Sequence, residues 1–180
     1  LDRMPATRIK LSDLVATQRF GRLLAALLQA GDVIALSGAL GVGKSALARA
    51  IIQAIDPTED DIPSPTFTHV QHYALVDGTP LWHLDLYRIN DAQDAMALGL
   101  EDAFVDAVCL IEWPDRLKNF LPRTNLSIHL YADETAAESD NTSDDAWLGS
   151  TVRFADVTAP PQWADRISGL VAAISVGAEI

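Results

Sequence analysis

Lys44 and Ser45 close the run Gly38-Ala39-Leu40-Gly41-Val42-Gly43-Lys44-Ser45, which fits G-x-x-x-x-G-K-[ST] at every fixed position. These residue types at this spacing suit phosphate binding. Glycines let backbone N–H groups turn inward around a phosphate, which then sits at the positive end of the following helix. Lys44 would reach the β- and γ-phosphates, and the Ser45 hydroxyl would bind Mg²⁺. Gly38, Ala39, Leu40, Gly41, Val42, Gly43, Lys44 and Ser45 are therefore the candidate nucleotide-binding residues, with ATP or ADP and Mg²⁺ as cofactors.

Two acids and one threonine are candidates to complete such a site. Val108-Cys109-Leu110-Ile111 runs into Glu112, and Pro114 stops the strand soon after. This is the form of a Walker B strand, which delivers a carboxylate beside the Mg²⁺ of a P-loop. In Leu81–Arg88, period-two alternation puts Trp82, Leu84 and Leu86 on one face and His83, Asp85 and Tyr87 on the other. A buried acid such as Asp85 is costly without a partner. A metal, a nucleotide-bound water and Arg88 are the alternatives. Thr66, in Ser64-Pro65-Thr66-Phe67, offers a hydroxyl soon after the P-loop helix, where many P-loop proteins sense the γ-phosphate. As a bare Ser-Pro-Thr it is also an ordinary turn.

The elements that would position these residues can be read from periodicity. Val33-Ile34-Ala35-Leu36 predicts a buried strand entering the loop, and Leu47, Ala48, Ile51, Ile52 and Ile55 recur at helical spacing behind it. Upstream, Thr17 is the expected N-cap of a helix whose stripe is Phe20, Leu23, Leu24, Leu27 and Leu28, ended by Gly31. Asp91 to Gly99 is expected to form a helix with Gly99 near its end, and Leu100–Phe104 to continue as a short turn of helix. Leu126–Tyr131 and Thr151–Val157 read as strands. Pro160-Pro161 opens a last helix with Trp163, Ile167, Leu170, Val171 and Ile174 on its core face.

Composition bounds the function. The chain has 180 residues, 49% of them apolar, and a formal net charge of −12. One domain spanning 1–180 is expected. The acidity argues against this chain gripping a nucleic-acid backbone by itself. Asp133 to Ala146 carries Asp133, Glu134, Glu138, Asp140, Asp144 and Asp145 without a base, and is expected to be a solvated, mobile hairpin loop. No apolar run approaches the roughly 18 residues that span a membrane. The single cysteine, Cys109, allows no internal disulfide, and no signal-peptide h-region is evident. The expected location is cytoplasmic. Cys109 reads as a small core residue, and the histidines His69, His72, His83 and His129 as strand or surface residues without metal-site spacing.

Five segments, in order and spacing, resemble one family. Gly38–Ser45, Ser64-Pro65-Thr66-Phe67, His83-Leu84-Asp85-Leu86-Tyr87-Arg88, Leu98-Gly99-Leu100-Glu101 and Ile111-Glu112-Trp113-Pro114 are similar to the TsaE (YjeE) family from about Ser12 to Trp163. The resemblance implies a small P-loop α/β ATPase, a three-layer sandwich on a mixed, centrally parallel sheet. It implies work with TsaB and TsaD in making N6-threonylcarbamoyladenosine at position 37 of tRNAs that read codons starting with A. TsaD performs the transfer, and TsaE binds the TsaB–TsaD complex and hydrolyses ATP to support turnover. Contact with tRNA would be only indirect, through the complex, and no membrane is involved.

By position, the resemblance makes Lys44 and Ser45 the P-loop lysine and metal hydroxyl. It makes Asp85 and Glu112 the family's two functional acids and puts Thr66 in its switch-like loop. Lys44, Asp85 and Glu112 are the expected catalytic residues; Ser45 and Glu112 the expected metal ligands; Asp85 and Thr66 join the loop in binding nucleotide. The chain departs from the pattern in places. Ala39 stands where the family often has an acid, and Ser45 where it usually has threonine. Gly149 is followed by Ser150 and Thr151 where a basic residue is common, with Arg153 further on. A small-molecule P-loop kinase is the alternative; it usually needs an arginine-bearing lid, and no arginine cluster sits in a lid-like segment. Nor does any arginine read as a finger supplied in cis.

Overall fold

A computed structural model describes residues 5–58, 62–65, 68–133 and 152–176. Among these, seven strands form one sheet in the order β1-β7-β6-β2-β5-β4-β3. The strands are β1 (Thr7–Leu11), β2 (Val33–Gly38), β3 (Val70–Ala74), β4 (Pro80–Asp85), β5 (Val108–Glu112), β6 (Leu126–Ala132) and β7 (Arg153–Thr158). β6, β2, β5 and β4 run parallel. β1, β7 and β3 pair antiparallel at the two edges. The sheet is therefore mixed with a parallel centre, as expected.

The central strands are apolar runs because both their faces are covered. Every residue of β5 is buried, as are the first four of β2. β6 instead alternates, with Leu126, Ile128 and Leu130 buried and His129 exposed. On one face, α1 (Leu14–Ala25), α2 (Lys44–Ile55) and α5 (Ala164–Val176) pack Phe20, Leu24, Leu47, Ile51, Ile167 and Leu170 onto the sheet. On the other, α3 (Ala92–Met96), α4 (Leu100–Asp106) and a 3₁₀ segment (Pro114–Phe120) cover Leu84, Leu86, Cys109 and Ile111. The result is a three-layer α/β sandwich. Cys109 is fully buried, and burial pushes its thiol up to about 12, so it packs as a core residue.

One local expectation is corrected. Helix α1 is capped by Asp13, whose carboxylate accepts from Ala16 N at 2.7 Å. Thr17 lies inside the helix, and its hydroxyl donates back to Asp13 O at 3.2 Å. The stretch from Asp91 holds α3 and then α4, a little longer than the expected turn over Leu100–Phe104. Gly99, at φ 91°, takes a left-handed turn that starts α4.

Helices α1 and α2 meet at a glycine. A Cβ on Gly21 would stand 2.6 Å from Ala50 Cβ and 2.9 Å from Ala50 C. Gly21→Ala should therefore force the helices apart and cost about 1–3 kcal/mol of stability. Denaturant unfolding checks this; an unchanged midpoint would mean that the pair separates freely.

Candidate nucleotide and metal site

Three parallel strands end side by side. Leu36 of β2 pairs with Glu112 of β5, and Glu112 pairs in turn with Asp85 of β4. In open α/β sheets this carboxyl edge is where ligands bind. The loop Ala39–Gly43 leads from β2 directly into α2.

Backbone sterics explain the loop's outer glycines. Gly38 has φ 132°, and a Cβ there would run into Leu130 O on the neighbouring strand. Gly43, at φ 113°, is the N-cap of α2 and has no side chain to cap it. That leaves the helix's positive end facing the loop. Leu40 is exposed at the loop's tip, whereas Val42 turns into the core.

Lys44 is buried, yet its ammonium is satisfied. Nζ donates to Gly38 O at 2.9 Å and to Ala39 O at 2.7 Å. It also lies 4.1 Å from the centre of the Trp113 ring, a cation–π contact. Burial lowers its pKa, and the Glu112 and Asp85 carboxylates oppose that shift. Trp113 reaches this place through a left-handed backbone (φ 59°, ψ 51°) directly after β5, with Tyr87 tilted against it at 4.9 Å.

The Ser45 hydroxyl donates to Glu112 Oε2 at 2.7 Å. The other oxygen, Oε1, lies 2.9 Å from Nε2 of His83. Asp85 is buried too, and its Oδ1 accepts from Tyr87 N at 3.0 Å. A hydroxyl and a carboxylate converging in this way are hard oxygen donors, suited to Mg²⁺. Among the described residues no group of three or more His, Cys, Asp or Glu could hold a metal ion by itself.

Lys44, Ser45, Asp85 and Glu112 are thus brought together at the end of the glycine loop. Thr66 and most of the acidic stretch, residues 134–146, lie outside the described residues. Two residues were missed in the sequence. His83 lies in a strand, as read, but it is a fully buried partner of Glu112, which was not foreseen. Its signal was the period-two face it shares with Asp85. Arg153 was set aside as distant, yet a Cβ on Gly43 would lie 3.5 Å from its Cδ and 3.6 Å from its Nε. An arginine therefore does stand against the loop in cis, brought there by the pairing of β7 with β6.

A glycine loop joining a central strand to a helix, on a sheet with a parallel centre, defines a P-loop NTPase-like α/β protein. The family model described as threonylcarbamoyl adenosine biosynthesis protein TsaE matches residues 11–140. The chain belongs to the TsaE family. It is 37% identical over 149 residues to the tRNA threonylcarbamoyladenosine biosynthesis protein TsaE of Nostoc sp., covering 79% of this chain and 88% of that one. It is 36% identical over 114 residues to the TsaE of Rickettsia bellii, covering 63% and 78%. It is 37% identical over 114 residues to the TsaE of Bacillus subtilis, covering 62% and 69%. The crystal structure of Bacillus subtilis YdiB has the same fold, with a TM-score of 0.67 at 23% identity over 96% of this chain and 98% of that one. No helix among the described residues is long and apolar enough to cross a membrane.

Proposed function

We propose that this chain is one Mg²⁺-dependent ATPase domain that works in the cytoplasm with TsaB and TsaD. It supports threonylcarbamoylation of adenosine 37 in tRNAs reading codons that start with A, and meets tRNA only through the complex. The observation that carries the nucleotide part is the 2.7 Å contact between Ser45 and Glu112 beside the buried Lys44. Family membership carries the pathway.

Each residue then has a task. The loop amides of Gly38–Ser45 receive the phosphates. Lys44 exchanges the carbonyls of Gly38 and Ala39 for β- and γ-phosphate oxygens. Ser45 and Glu112 would hold Mg²⁺, which would supply charge neutralisation on the phosphate oxygens. Asp85, next to Glu112 in register, orients the attacking water. Thr66 senses the γ-phosphate from its loop.

Positioning and charge supply most of phosphoryl-transfer catalysis, and fast hydrolysis usually needs a further positive group or a locked switch. Arg153 is half-buried beside Gly43 and supplies one cation. A partner that acts on Thr66 supplies the lock. The isolated chain should therefore bind ADP and ATP but hydrolyse slowly. Adding TsaB and TsaD should raise ATP turnover by about tenfold or more and allow repeated tRNA modification. Phosphate release and modified tRNA, with and without the partners, test this. Equal rates in both conditions would refute partner dependence.

A further inference from the structure

His83 stands outside the roles just given, yet it is the most deeply enclosed polar side chain near the site. It projects from the middle of β4 and has no exposed surface. Glu112 is 2% exposed, and its two oxygens are divided between two partners: Oε1 to His83 at 2.9 Å and Oε2 to Ser45 at 2.7 Å. Nδ1 of the imidazole has no hydrogen-bond partner among the described residues. All of the ring's described polar contact is thus spent on one oxygen of Glu112.

This arrangement removes freedom from the carboxylate. A glutamate has three side-chain torsions, and the end of β5 fixes none of them by itself. A donor gripping Oε1 holds the plane of the carboxylate and leaves Oε2 facing Ser45. The register makes the grip possible. His83 pairs with Leu110 and Asp85 with Glu112, so the histidine sits one pleat behind the carboxylate it holds. Such outer partners tune metal affinity as strongly as some ligands do.

We propose that His83 is a positioning residue that presents Glu112 Oε2 to the divalent cation. The proposal rests on the reading of Ser45 and Glu112 as the metal ligands. Nε2 is the donor and Glu112 the acceptor; His83 touches neither nucleotide nor metal. A nitrogen donor at the same place should replace it, and a hydrocarbon of similar bulk should not.

The test measures ADP binding as Mg²⁺ is varied, and again in EDTA, for wild type, His83→Leu, His83→Gln and Glu112→Gln. Mn²⁺ binding to the ADP complex, followed by electron paramagnetic resonance, gives a readout that needs no turnover. His83→Leu should raise the Mg²⁺ concentration for half-maximal ADP binding by about 10–100-fold. Its ADP affinity in EDTA should match wild type, which also shows that the fold and loop are intact. His83→Gln, whose amide nitrogen reaches the position of Nε2, should recover most of the loss. Should His83→Leu misfold, the glutamine variant still decides: a response near wild type is required of it, and a loss as large as that of Glu112→Gln refutes the role. If His83→Leu keeps the wild-type Mg²⁺ response while Glu112→Gln loses it, the role of His83 is refuted and the metal site stands. If Glu112→Gln also keeps it, the metal-site reading itself falls.

Discussion

Lys44→Ala should lower the rate of ATP hydrolysis by about 10²–10³-fold, the usual cost of removing one preorganised charge from a transition state. The structure supports an effect on chemistry more than on folding. Among the described residues the ammonium donates to the loop's own carbonyls, Gly38 O and Ala39 O, and lies on the face of Trp113. Those carbonyls sit at the loop and can take water when the lysine is gone. Bound phosphates have no substitute for it. Arg153 approaches the loop at Gly43, one residue away, but from the β7 side. Single-turnover hydrolysis should therefore collapse while the thermal unfolding midpoint stays near wild type. Repeated tRNA modification with TsaB and TsaD should be lost together with hydrolysis. Retention of either by Lys44→Ala would overturn the proposed mechanism.

Which parts could be read from sequence follows from how local they are. The glycine loop and the strand ending at Glu112 are continuous signals, a motif and an apolar run, and both stand where periodicity put them. The edge strand β1 escaped notice. Its five residues gain their partners from β7, nearly 150 positions away, so nothing within the segment itself demands a strand. Thr17 has the chemistry of a cap, but Asp13 is better placed and leaves Thr17 to bond its own helix. His83 shows the same limit at the site. Alternation could put it on the face of Asp85, but only the parallel register of β4 against β5 brings it to Glu112. Arg153 depends on how β7 returns along β6, which follows a long intervening segment and no local pattern.

The two acids should fail in different ways. Glu112 and Asp85 are register neighbours, both buried, and a sequence alone cannot divide their work. Their partners do. Glu112 is shared between Ser45 and His83, so it belongs to the hydroxyl that would bind metal. Asp85 Oδ1 accepts instead from the backbone amide of Tyr87. Glu112→Ala should raise the Mg²⁺ needed for half-maximal nucleotide binding by about 100-fold, at least as much as loss of an outer partner costs. It should also cost about 1–3 kcal/mol of stability, because His83 loses its buried partner. Asp85→Ala should leave Mg²⁺-dependent binding near wild type and lower hydrolysis by about 10²–10⁴-fold, the range for a positioned acid or base. Titrating ADP against Mg²⁺ and measuring single-turnover hydrolysis on both variants separates the cases. An equal loss of Mg²⁺-dependent binding in the two would show that both acids serve the metal, and no water-orienting role would remain for Asp85.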